Sequence, residues 1–246
     1  MNTIIDYWCL FIIPFLYGMM LFIEFISQYS RVAGYFIQKN AIAYSIQNTT
    51  FTLTRFFSVL LMPLIGLMVD KNYHPNLFLL CVIISFYFTF FLGLVVLFFR
   101  EKICLFYIYF IDRYVYGNGL IKSLIYSIRE KKHQEYNVNE LNNYQIDIKY
   151  FSISVIIYTI HALGIFITFY FALISPNNKI MITQTSGIIN AFATLLLTFK
   201  IDPALSVAIE KRYNFISSFM SIFYARLFVF SIVAPFIFFM LYKATQ

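Results

Sequence analysis

The chain has 246 residues; 61% are hydrophobic, 21% aromatic and only 12% charged, and the net charge is +7. A composition this apolar excludes a soluble domain of such length and indicates an integral membrane protein. The basic surplus lacks the aromatic–basic interleaving of nucleic-acid binders and suits an anionic lipid surface instead.

Six windows offer about 20 apolar residues each, the length that spans ~30 Å of hydrocarbon at 1.5 Å per residue. They lie near 5–27, 41–69, 77–99, 151–174, 180–200 and 215–241, and predict one all-α membrane domain over 1–246. The first has no basic leading region and no small-residue cleavage site, so it reads as a spanning helix and not as a signal peptide. It carries Glu24, about two turns before Arg31; Arg31 falls in an expected loop over 28–40.

The second segment holds Gln47, Asn48, Thr49, Thr50, Thr52, Thr54, Arg55 and Ser58. Residues 48, 52 and 55 share one helical face, and 47, 50, 54 and 58 form an adjoining strip. The pattern fits the wall of a wet groove; interhelical bonding by Ser and Thr would give the same pattern. Arg55 lies near mid-segment, where a guanidinium costs roughly 3 kcal/mol and persists only with a partner, water or a role. Pro63, followed by Gly66, predicts a kink, either a hinge or a static bend.

The span 100–150 is expected to be a cytoplasmic loop. Ile103 to Ile128 is too polar to cross the membrane and too apolar for free loop, which predicts one or two interfacial helices. Arg129 to Asp147 is charged and Asn-rich, and reads as mobile or disordered. Three segments on either side of this loop would form two inverted three-helix halves, as in many transporters. Segments two and five both open on a small polar cluster and close on a hydrophobic–Asp pair, Val69-Asp70 and Ile201-Asp202.

In segment four, His161 is either a neutral side chain bonded to a backbone carbonyl or a proton-relay or diphosphate contact. Segment five carries Asn190 and ends at Asp202-Pro203, expected to be a turn with Pro203 opening a short helix. Segment six carries Arg226, for which Glu24 is a candidate partner. Asp70 and Asp202 lie near segment ends, which leaves Arg55 without an intramembrane carboxylate. An unneutralised buried cation is expected where a phosphate or diphosphate is accepted.

With the N-terminus outside, thirteen Lys/Arg fall on the cytoplasmic side and only Lys71, Lys179 and Lys243 opposite. That asymmetry predicts an N-out, C-out protein of the inner membrane. Cys9, Cys81 and Cys104 have no metal spacing and read as buried small hydrophobes. No HExxH, Asp-rich diphosphate–Mg²⁺ motif, GxSxG or ATP-binding loop is present, so no enzyme, metal or cofactor is expected.

The run Ser30-Arg31-Val32-Ala33-Gly34, then Ser45, Asn48, Thr54-Arg55 and Pro63-Leu64-Ile65-Gly66-Leu67-Met68-Val69-Asp70, resembles the Amj family of bacterial lipid II flippases. Gly187-Ile188-Ile189-Asn190 and Ile201-Asp202-Pro203 resemble its second half, so recognisable motif covers about 29–70 and 184–212. Glu210-Lys211-Arg212 stands where the family pattern would place an acidic partner. The resemblance implies transfer of undecaprenyl-diphosphate-linked peptidoglycan precursor from inner to outer leaflet, and with it a part in cell-wall biogenesis and cell shape. Another polyprenyl-linked glycan or a small anionic solute would satisfy the same residues, and an integral-membrane transferase is the remaining alternative. Candidate substrate-binding residues are Arg55, Arg31, Asn48, Thr52, Gln47, Arg226, His161 and Asn190, with Glu24, Asp70 and Asp202 as charge partners.

Overall fold

The structure, a computed structural model, describes residues 3–129, 136, 138–175 and 177–245. It consists of α1 (Thr3–Ile37), α2 (Asn40–Asp70), α3 (Pro75–Phe98), α4 (Arg100–Val115), α5 (Leu120–Arg129), α6 (Ile148–Ile174), α7 (Lys179–Lys211) and α8 (Phe215–Ala244). No strand occurs among the described residues. All except α4 and α5 are long and apolar enough to cross a membrane, which makes this a multi-pass α-helical membrane protein.

α1 does not end near residue 27. It runs to Ile37, and the expected loop 28–40 shrinks to Gln38 and Lys39. The reason is packing: Tyr29, Ser30, Val32 and Ala33 are fully buried. Ser30 Oγ donates to the Ala43 carbonyl of α2 at 2.9 Å, and a Cβ on Gly34 would lie 2.3 Å from Ala43 Cβ. Small residues four apart thus let the two helices close on each other. Gln38 then turns left-handed (φ 60°), and Lys39 N–H bonds the Gly34 carbonyl at 2.9 Å in a Schellman stop.

α7 also overruns its expected end. Asp202-Pro203 makes no turn; the helix widens into a π turn at Leu197–Ile201 and continues to Lys211. A second π turn, Val229–Val233, lies inside α8. Each ends two residues before a proline, Pro203 or Pro235. A proline lacks the N–H and crowds the carbonyl four residues back, and a wider turn just before it relieves both problems. Pro63, in contrast, sits within an unbroken α2.

Each half has the same plan: α1 packs against both α2 and α3, and α6 against both α7 and α8. The central α1 and α6 bury 50% and 61% of their most apolar windows, whereas α2 and α7 bury 28% and 22%. α2 and α7 are therefore the outlying walls of the bundle.

The region between the halves is structured where it is described. α4 packs Ile108 and Ile111 into the core beside α1. α5 turns Ser123 and Ser127 inward and leaves Ile121, Leu124, Ile125 and Ile128 exposed on one stripe, the signature of a helix lying in the membrane interface. Of the stretch expected to be disordered, residues 130–135 and 137 lie outside the described residues. The remainder is docked, contrary to expectation: Leu141 is fully buried, Asp147 N–H bonds Ser221 Oγ at 2.7 Å, and the Tyr144 and Tyr224 hydroxyls are 2.6 Å apart. Backbone groups of a charged segment find partners on α8, which offsets its low hydrophobicity. Tyr136 donates to Asp112 Oδ2 at 2.7 Å, and burial together with that carboxylate pushes its phenol up to about 12.

Candidate substrate cavity

Between α2 and α7, backed by α1 and α6, lies a polar cavity of about 200 Å³. α1 contributes Glu24, Gln28 and Arg31, which recur at i, i+4 and i+7 and so share one face. α2 supplies Tyr44, Gln47, Asn48 and Phe51; α6 supplies Tyr158; α7 supplies Thr194, Thr198 and Asp202. Gln28 Nε2 donates to Tyr158 Oη at 3.4 Å.

Arg31 is the chemical centre. Its side chain is only 4% exposed, and Nη2 donates to Asp202 Oδ1 at 2.8 Å. The guanidinium stacks 4.6 Å from the Tyr44 ring centroid, a cation–π contact. Nε and Nη1 are buried and have no hydrogen-bond partner, and Gln47 Oε1 is a buried acceptor in the same condition. Buried donors are rarely left unpaired, because each costs about 1–3 kcal/mol. Two residues that line the cavity thus hold unused polar atoms: donors on Arg31 and an acceptor on Gln47.

The two ends of the groove are tied. Arg31–Asp202 closes one; at the other Lys179 Nζ bonds the Val69 carbonyl at 3.5 Å and the Asn72 side chain. Lys179 and Asp202 both belong to α7 and are about 34 Å apart along its axis, close to the hydrocarbon thickness of a bilayer. The ties therefore lie near opposite faces of the membrane.

The remaining expected site residues are sorted by this geometry. Arg31, Gln47, Asn48, Glu24 and Asp202 line the cavity; Arg55, Thr52, His161, Asn190 and Arg226 do not. Arg226 is 1% exposed, ion-paired with Glu24 and enclosed by the Phe25 and Tyr158 rings at 4.3 and 5.0 Å, so its charge is matched within the protein. Arg55 is exposed and, among the described residues, unpaired. It continues the strip of Tyr44, Asn48 and Phe51 one turn further along α2. Asn190 holds the matching place on α7, one turn beyond Thr194, and its buried Oδ1 has no partner. His161 Nδ1 is likewise buried without a partner, so no backbone carbonyl holds it. Asp70 is exposed at the end of α2 and pairs with neither buried arginine.

The threonines expected to wet the groove mostly turn back on their own helix. Thr49, Thr50 and Thr52 donate to the carbonyls four residues earlier at 2.8–3.0 Å, and Thr54 to Phe51 at 2.6 Å. The amides Gln47 and Asn48 carry the polarity instead. Sequence reasoning missed Gln28, Tyr44, Tyr158, Thr194 and Thr198. The Glu24–Gln28–Arg31 spacing was a readable signal, hidden by ending the first helix at residue 27.

No match to a curated protein or to a solved structure was found. A family model described as "Amj: Alternate to MurJ" matches residues 16–222, a span that contains every residue of the cavity. The chain belongs to the Amj family.

Proposed function

We propose that the protein moves a polyprenyl-diphosphate-linked glycan, the peptidoglycan precursor lipid II, from the inner to the outer leaflet of the bacterial cytoplasmic membrane. The observation that carries this reading is Arg31: a buried guanidinium with unpaired N–H donors, in a polar cavity between the two least buried helices. The ligand needs a cation for its diphosphate, polar side chains for its sugars and a sideways exit for its tail. Arg31 answers the first, Gln28, Gln47 and Asn48 the second, and the groove between α2 and α7 the third. Arg55 and Asn190 extend the polar path toward mid-membrane, with His161 on α6 behind it.

In this reading residues 1–246 act as one membrane domain with both termini outside, and the Arg31–Asp202 end faces the cytoplasm. The positive-inside asymmetry survives the removal of Arg31 from the loop count. Moving a negative headgroup outward is favoured by an inside-negative potential, at about 2.3 kcal/mol per charge per 100 mV. No covalent chemistry is involved: the protein is a carrier and not an enzyme.

The test is leaflet exchange of fluorescent lipid II in liposomes containing the purified protein. Exchange above that of protein-free vesicles, and rescue of cells depleted of their other lipid II flippases, is expected. Liposomes that show no protein-dependent exchange would overturn the proposal.

A further inference from the structure

We infer that Asp202 is a resident counter-anion which the diphosphate of the ligand displaces from Arg31, so that one ion pair both closes the cavity and competes for it. This rests on reading the cavity as the carrier's binding site.

Three observations lead there. The first is asymmetry: the Arg31 side chain is 4% exposed and the Asp202 side chain 36%. If the pair parts, the carboxylate moves into water at little cost, whereas the guanidinium stays where it is, held under Tyr44. Asp202 is the partner that leaves.

The second is incompleteness. A guanidinium fork binds a carboxylate or phosphate best through two parallel bonds. Asp202 uses one oxygen and one nitrogen, and leaves Nε and Nη1 unpaired in the cavity wall. A diphosphate offers more oxygens and more charge than one carboxylate, and once Asp202 has left Nη2 it can bond that nitrogen together with a neighbouring free donor as a fork. The buried cation is already stripped of water, so the desolvation that opposes the exchange is that of the diphosphate alone.

The third is the backbone under Asp202. The π turn Leu197–Ile201 ends at the residue before it, and Leu197, Thr198 and Ile201 line the same cavity. A π turn is a local widening of the helix, here set before Pro203, and such turns recur at functional sites. One residue of register change would rotate Asp202 by about 100° about the helix axis, away from Arg31. Ligand entry and opening of this end are thereby the same event.

The experiment measures binding of undecaprenyl diphosphate to the protein in nanodiscs, beside leaflet exchange in liposomes. Removing the competitor in Asp202→Asn should tighten binding about tenfold, the equivalent of ~1.4 kcal/mol, and slow exchange because the lipid is released less readily. Arg31→Lys keeps the charge but loses the fork and should weaken binding about tenfold or more. The exchanged pair Arg31→Asp/Asp202→Arg restores the tie but not the buried donors, and should fold yet bind poorly; it covers the case in which Asp202→Asn fails to fold. Unchanged or weaker binding by folded Asp202→Asn, or wild-type affinity in the exchanged pair, would overturn the inference. Failure of the carrier reading looks different: the wild-type protein itself would move no lipid.

Discussion

Arg226 on α8 and Glu24 on α1, 202 residues apart in sequence, form an ion pair that is closed off from solvent at 1% and 8% exposure. It joins the two halves of the protein, and the cavity meets it only from the Glu24 side. Breaking such a pair leaves one charge uncompensated, at a cost of about 3–5 kcal/mol, whereas removing both charges is far milder.

Arg226→Met alone and Glu24→Gln alone should therefore each lower the melting temperature in detergent and the amount of protein in the membrane. The double variant should recover most of both. A double variant no better than the singles would show that the pair is not the source of the loss.

Arg55 predicts the opposite behaviour. It is exposed and unpaired among the described residues, so Arg55→Ala should leave abundance undiminished and the melting temperature no lower than that of wild type. Rescue of flippase-depleted cells should nonetheless fall, because the strip beyond Phe51 loses its only cation. Full rescue would remove Arg55 from the pathway.

Gly34 tests the α1–α2 hairpin that holds Arg31 in place. A Cβ there meets Ala43 Cβ at 2.3 Å and the Lys39 carbonyl at 3.2 Å. Gly34→Val should cost about 1–3 kcal/mol through overpacking, read as a lower midpoint of thermal unfolding. Gly187→Val, where a Cβ meets nothing within 4 Å, should be close to neutral in the same assay.

The three cysteines are buried and none is in a disulfide. Burial pushes the Cys104 thiol, on α4, up to about 12, so at pH 8 the reactive thiolate is about one part in ten thousand. A maleimide should leave the folded protein unlabelled and modify it after denaturation in SDS. That silent background allows Asn72→Cys and Lys179→Cys to be joined by a short bis-maleimide at the end of the groove opposite Arg31. If α2 and α7 part during transport, the joined protein should lose leaflet exchange and regain it when left unjoined; undiminished exchange by the joined protein would rule out that separation.

What the sequence alone determined follows from local physics. Six apolar windows must be helices, because a bilayer leaves backbone polar groups no other partner. The Glu24–Arg226 pair was a legible alternative, since the inventory of intramembrane charge is short. The motif from Ser30 to Asp70 carried the family, and the amphipathic character of α5 was visible in its sequence.

Only the tertiary structure shows which arginine lines the cavity. Arg55 is the larger anomaly on an isolated helix, because depth in hydrocarbon sets its cost. Whether a cation is neutralised, wetted or left with open donors depends on what the other helices place beside it. In sequence Arg31 is a candidate through the family motif but falls in an expected loop, and only the continuation of α1 to Ile37 puts it on a helix face. Asp202 looked like a turn residue until a π turn carried α7 through Pro203. Both helices run past the ends that hydropathy sets because the contacts sustaining them are tertiary: Gly34 meets Ala43 only once the α1–α2 hairpin has closed, and Arg31 meets Asp202 from 171 residues away, a pair that no local window contains.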